Sequence, residues 1–130
     1  MCLYPQKVWV GKKGQTKELL SVPCGKCIEC CQRYSREWAF RCMDELKAAD
    51  GVGCVITLTY NNESLPPDGF LCRRDVQLFL KSLRKHIAPQ KVRFFGCGEY
   101  GGKKGRPHYH LCLFGWKPDD LQFLKKSNKG

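Results

Sequence analysis

No stretch of this sequence is apolar for long enough to span a bilayer, and its first residues, MCLYPQKVWVGKKG, lack the apolar centre of a signal peptide. Insertion into a membrane and export are excluded on that reading, and the cytoplasm is the expected compartment. Acidic residues are scarce: 12 Asp and Glu stand against 23 Lys and Arg, a formal net charge of +11 over 130 residues. So strong a bias makes nucleic acid the leading partner and an anionic membrane surface the weaker one. There is no internal repeat, and the length suits one domain with a modest core.

Cysteine, by contrast, is abundant. Ten cysteines in a reducing compartment argue for metal ligation or buried thiols, not a disulfide framework. Residues 7–10 and 18–22 flank the turn GKKG (Gly11 to Gly14) and read as a hairpin that returns Cys2 to Cys24. Cys24, Cys27 and Cys30 follow as C-x-x-C-x-x-C, with Cys31 adjacent. Thiolates so spaced suit tetrahedral zinc, with Cys2 as fourth ligand and no position left open. The spacing alone also permits an iron–sulfur cluster, or free thiols capping the next helix.

Ile28, Cys31, Ser35, Trp38, Cys42, Met43, Leu46 and Ala49 recur at helical steps, predicting an amphipathic helix ended by Asp50 and Gly51. Its Arg33, Arg36, Arg41 and Lys47 read mainly as solvated surface. Residues 53–60 (GCVITLTY) read as a central strand with Val55, Thr57 and Thr59 on one face. Residues 73–87 predict a second helix with Val76, Phe79, Leu80, Leu83 and Ile87 inward, and residues 92–98 another strand. His86 reads as a surface residue.

The most informative stretch is residues 96–115, GCGEYGGKKGRPHYHLCLFG. Its apolar run is a strand by composition, so His108 and His110 point to one side and Tyr109, Leu111 and Leu113 to the other. Glu99 lies nine positions before His108, and a Gly-rich turn would fold it back beside the two histidines. Two imidazoles and one carboxylate bind a metal and leave positions open for a substrate oxygen. A literal G-x-G-x-x-G (Gly96, Gly98, Gly101) is not a dinucleotide site, because Gly102, Gly105 and Pro107 follow where a helix should begin. The order of elements predicts an α+β fold, a mostly antiparallel sheet with helices on one face, behind a Cys-rich N-terminal segment.

ITLTY (residues 56–60), GEYG and RPHYH, together with the N-terminal VPCGKCIEC and SREWAFRC, resemble the replication initiators of gokushovirus-like microviruses, phages with single-stranded DNA. These initiators are HUH endonucleases, named for a His-apolar-His signature, and the resemblance runs from Cys2 to Phe114. It implies an HUH/ferredoxin-like sheet with the histidine strand central. It further implies Mg²⁺ or Mn²⁺ on Glu99, His108 and His110, alongside the structural Zn²⁺ on Cys2, Cys24, Cys27 and Cys30. The implied partner is single-stranded DNA at a replication origin, with host replication machinery beside it, in the cytoplasm of a host bacterium. Lys103, Lys104 and Arg106 would hold phosphates, Thr57 and Thr59 would offer hydroxyls to the DNA face, and Tyr100 would stack on a base. The implied reaction is rolling-circle nicking by transesterification, in which a tyrosine hydroxyl attacks phosphorus and leaves a 5′-phosphotyrosine and a free 3′-hydroxyl.

The family's nucleophilic tyrosine lies beyond the histidine strand, in a motif that also holds lysine. This sequence has no tyrosine after Tyr109, and Tyr4, Tyr34, Tyr60 and Tyr100 fall outside the matching position, so no nucleophile is assigned. The expectation is the front part of an initiator: a Cys-rich hairpin and zinc staple over 1–31, an HUH-type core over 32–116, and a short helix (119–126) with a polar tail over 117–130, all in a single compact domain. Metal and DNA binding are expected, with little nicking unless another chain supplies the tyrosine. Two alternatives stand beside it: a non-catalytic, zinc-stapled single-strand-binding module, and a metal-dependent phosphodiesterase using activated water.

Overall fold

The computed structural model describes residues 1–102 and 105–122. Among them five strands and two helices form, in the order β1 (Gln6–Val10), β2 (Glu18–Val22), α1 (Ile28–Ala48), β3 (Gly53–Thr59), α2 (Arg73–His86), β4 (Arg93–Tyr100) and β5 (Pro107–Phe114). Every strand pairing is antiparallel, so the expected α+β class is the one observed. The chain divides into two compact units, Met1–Met43 and Asp44–Gly130, and the division falls inside α1.

In the first unit β1 and β2 form a two-stranded ribbon, with Trp9 opposite Leu19 and Lys7 opposite Ser21. Cys2 lies just before the ribbon and Cys24 just after it, so the hairpin returns one to the other as the spacing predicts. The helix that follows differs from expectation. Within α1 only Cys30 is buried, and Ile28, Met43 and Leu46 of the expected apolar stripe stay exposed. Periodicity states which side of a helix suits burial, not what covers it. Its end is as expected: Asp50 and Gly51 both take positive φ, and the Gly51 N–H reaches back to the Leu46 carbonyl.

The second unit carries a three-stranded sheet in the order β3-β5-β4, with the histidine strand central. Burial along β5 alternates, Pro107, Tyr109, Leu111 and Leu113 buried and the residues between them half-buried. Leu111 and Leu113 join Leu80 of α2 and Val92 in the core, with Ile56, Leu58, Val76, Phe79, Leu83 and Ile87 packed around them. Each such leucine contributes about 1.5–3 kcal/mol relative to leaving it in water, which fixes which face of the sheet α2 covers. Gly96 sits opposite Leu111, where a Cβ would collide with the leucine's Cδ2, so this position stays without a side chain. The covered face forces the histidines to the other. His86 is exposed, as expected. The short helix expected over 119–126 lies mostly outside the described residues, and residues 119–122 are irregular. No helix among the described residues is long and apolar enough to cross a membrane.

Candidate metal centre

The pairing register places Thr59 and Glu99 on either side of His108, and Thr57 and Cys97 on either side of His110. Directly opposed residues project from the same face, so all six share the face away from α2. Glu99 Oε2 is 3.1 Å from His110 Nε2 and 3.7 Å from His108 Nε2. The two rings stand edge to face, their centroids 5.0 Å apart. One ligand atom from each of the three residues lies within 4.8 Å of the others.

The far nitrogen of each imidazole is also engaged. His108 Nδ1 is 3.2 Å from the Arg106 carbonyl, which only accepts, so Nδ1 carries the proton and Nε2 keeps its lone pair. That lone pair faces a carboxylate oxygen, an arrangement a cation relieves. His110 Nδ1 is 3.0 Å from Thr57 Oγ1, a hydroxyl that can donate or accept and so supports either tautomer. Oriented imidazoles with their outer nitrogens bonded are the usual support of metal-ligating histidines. The donor set therefore fits a divalent cation, and three protein ligands leave coordination positions free.

The second cluster lies in the first unit. One sulfur from each of Cys2, Cys24, Cys27 and Cys30 lies within 4.8 Å of the others. Cys27 Sγ is 3.8 Å from Cys2 Sγ, the separation of about 3.8 Å that a tetrahedral ion with bonds of about 2.3 Å imposes on its sulfurs. The Cys24 N–H donates to Cys2 Sγ and the Cys27 N–H to Cys24 Sγ. Backbone N–H groups of Lys26 and Cys27 hold the Cys24 thiol below its ordinary range, and those of Leu3 and Cys30 bring Cys27 down to about 6. Burial pushes Cys30 up to about 12. Cys31 is exposed and turns to the Lys26 carbonyl instead.

Of the residues expected at DNA, Thr57 and Thr59 lie on the histidine face and both are exposed. Arg106 is half-buried, and its guanidinium donates to the Tyr60 carbonyl at 3.0 Å and to Asn62 Oδ1, tying down the loop after β3. Tyr100 projects from the opposite face of β4 to Glu99, and its hydroxyl accepts the Leu71 N–H. Lys103 and Lys104 lie outside the described residues. Tyr60 points away from the site: its hydroxyl donates to Asp75 Oδ2 and lies 3.1 Å from that of Tyr109, which in turn bonds both backbone groups of Cys72 at the start of α2. Burial first, and the Asp75 carboxylate second, raise the Tyr60 phenol above its ordinary value.

An antiparallel sheet with a Glu-His-His group on its open face and a cysteine cluster ahead of it defines a small class of α+β proteins. The chain belongs to the ORF2-type family of replication-associated proteins, whose model matches residues 53–130. It is 39% identical over 107 residues to the replication-associated protein ORF4 of Chlamydia phage 1, covering 80% of this chain and 26% of that one. It is 36% identical over 117 residues to the replication-associated protein ORF2 of Spiroplasma virus 4, covering 85% and 37%. To the replication-associated protein VP4 of Bdellovibrio phage phiMH2K it is 37% identical over 116 residues, covering 82% and 36%. The matched segment is thus between about a quarter and somewhat over a third of the length of these curated relatives. No solved structure matches. The family expected from ITLTY, GEYG and RPHYH is the family found.

Proposed function

We propose that this chain carries the metal-binding and DNA-binding face of a viral rolling-circle replication initiator, acting on single-stranded DNA. The observation that carries the reading is the convergence of Glu99 Oε2 with the Nε2 atoms of His108 and His110 on the uncovered sheet face, in a family of phage replication proteins. Mg²⁺ or Mn²⁺ held by these three groups would polarise a phosphodiester and stabilise the charge that develops in transesterification. The chain's own residues prepare that site. The Arg106 carbonyl fixes the tautomer of His108, Thr57 holds the ring of His110, and Thr59 offers a hydroxyl on the same face. The net charge of +11 draws the DNA strand, with Lys103 and Lys104 beside the site in sequence.

In the proposed reaction a tyrosine hydroxyl attacks phosphorus, leaving a 5′-phosphotyrosine and a 3′-hydroxyl. Among the described residues of the second unit no tyrosine shares the histidine face, and the Tyr60 hydroxyl is held by Asp75. That observation favours a second reading for this chain's own activity, a single-strand-binding module stapled by zinc on Cys2, Cys24, Cys27 and Cys30. Mn²⁺ binding, followed by electron paramagnetic resonance, tests the metal site without requiring turnover. His110→Ala is expected to weaken binding by at least about tenfold. Unchanged affinity would remove the site and the reading with it.

A further inference from the structure

The β1–β2 ribbon buries almost nothing, yet it is rich in large apolar side chains. All of β1 is exposed, Trp9 at 66%, and so are Leu19 and Leu20 of β2. A two-stranded ribbon of this length is marginal by itself, so leaving such side chains in water calls for a reason. The two faces differ in kind. Trp9 shares its face with Lys7 on its own strand and with Leu19 and Ser21 across the ladder. Lys17 completes that face: its Cα and Cγ lie 3.2 and 3.3 Å from where a Gly11 Cβ would stand, so the lysine runs over the bare glycine beside Trp9. The opposite face, with Val8, Val10 and Leu20, carries no lysine and one carboxylate, Glu18.

We propose that the Trp9 face of the ribbon is a contact surface for single-stranded nucleic acid, with the indole stacked on an unpaired base and Lys7 and Lys17 on the flanking phosphates. An indole accepts any base on its π-face, and it needs that base out of a duplex stack, which selects the single strand. Residues two apart on a strand are separated by about 7 Å, so a flexible lysine stem reaches a phosphate next to the stacked base. The surface lies in the first unit, apart from Glu99, His108 and His110 in the second, and extends the single-strand reading above to a second place on the chain.

The test uses the full chain and a labelled oligothymidylate of about 12 nucleotides, followed by fluorescence anisotropy, with a duplex of equal length for comparison. Trp9→Ala is expected to weaken oligothymidylate binding by about 5- to 100-fold, the range of one lost stacking platform, and Trp9→Phe to recover most of it. Duplex affinity should not move. Lys7→Gln with Lys17→Gln should lower the log–log salt slope by about 1.4, two phosphate contacts' worth. Equal affinity for wild type and Trp9→Ala overturns the proposal, as does an equal loss on duplex. A change in sedimentation with oligonucleotide affinity intact also overturns it, in favour of a protein partner. The metal site is judged separately: His110→Ala reads through Mn²⁺ and leaves the Trp9 comparison in place, so either idea can fail alone.

Discussion

In the cluster of Cys2, Cys24, Cys27 and Cys30 every donor is a soft sulfur, Cys27 and Cys30 are buried, and backbone N–H groups point at two of the sulfurs. In the cluster of Glu99, His108 and His110 the donors are a carboxylate oxygen and two imidazole nitrogens, and the Glu99 side chain is 60% exposed. Four sulfurs complete a tetrahedron and leave a metal nothing further to bind, so such a site can only hold chain to chain. Three mixed donors on an open face leave room for a substrate oxygen. The same chain thus places a closed cluster where the fold is thin and an open one where the sheet is well supported.

The largest effect should come from breaking the closed cluster. Cys30→Ala, or stripping metal with a chelator, should take zinc from one equivalent per chain to none and unfold the β1–β2 ribbon. Structural zinc contributes an apparent 10–16 kcal/mol or so in small zinc-dependent folds, more than this ribbon's exposed side chains can replace. Amide resonances of Gln6–Val10 and Glu18–Val22 should collapse towards random-coil positions while those of Pro107–Phe114 hold. Ribbon resonances that survive chelation would make the thiols simple helix caps.

Breaking the open cluster should do the reverse. Glu99→Ala should lower Mn²⁺ affinity by at least about tenfold. Its effect on stability should stay within about 0.5 kcal/mol, since the side chain is mostly in water. Loss of stability with Mn²⁺ affinity intact would make Glu99 a structural partner of the histidines and end the comparison. A finer cut leaves all three ligands in place. Thr57→Val keeps the strand and its shape but removes the hydroxyl 3.0 Å from His110 Nδ1, and should weaken Mn²⁺ about tenfold, with Thr57→Ser restoring it.

Most of the open cluster was legible in the sequence because a strand has a period of two. His108 and His110 had to share a face, and a Gly-rich hairpin had to bring Glu99 back, which the register confirms by setting Glu99 opposite His108. The same rule applied one residue further would have put Tyr100 on the face opposite Glu99, away from the histidines. What periodicity could not give was the use of each polar group. Thr57 was expected to face DNA, and the hydroxyl is also the partner of His110. Arg106 was read from its charge, and its guanidinium is spent on Tyr60 and Asn62, which a loop more than forty residues away in sequence brings to it. Contacts between distant segments depend on tertiary geometry that local spacing does not carry. The exposed stripe of α1 fails for the same reason.

The smallest effect separates the two faces of the one sheet. Tyr60 follows Thr59 and therefore lies on the covered side, where its hydroxyl bonds Asp75 in the first turn of α2. Its phenol is raised above the ordinary value of 10.0 by burial and by that carboxylate. A group so raised contributes stability that is complete below its unfolded value and is lost as pH climbs through that value towards the folded one. Urea unfolding should therefore show a fall in stability beginning near pH 10. Tyr60→Phe should cost about 1 kcal/mol at neutral pH through the lost hydrogen bond and flatten the alkaline fall. Mn²⁺ affinity should stay within about twofold of wild type, because the Tyr60 carbonyl still receives Arg106 and the Arg106 carbonyl still receives His108. An equal alkaline slope in both proteins would show that Tyr60 ionises freely. A tenfold loss of Mn²⁺ affinity would show that the covered face transmits strain to the open one.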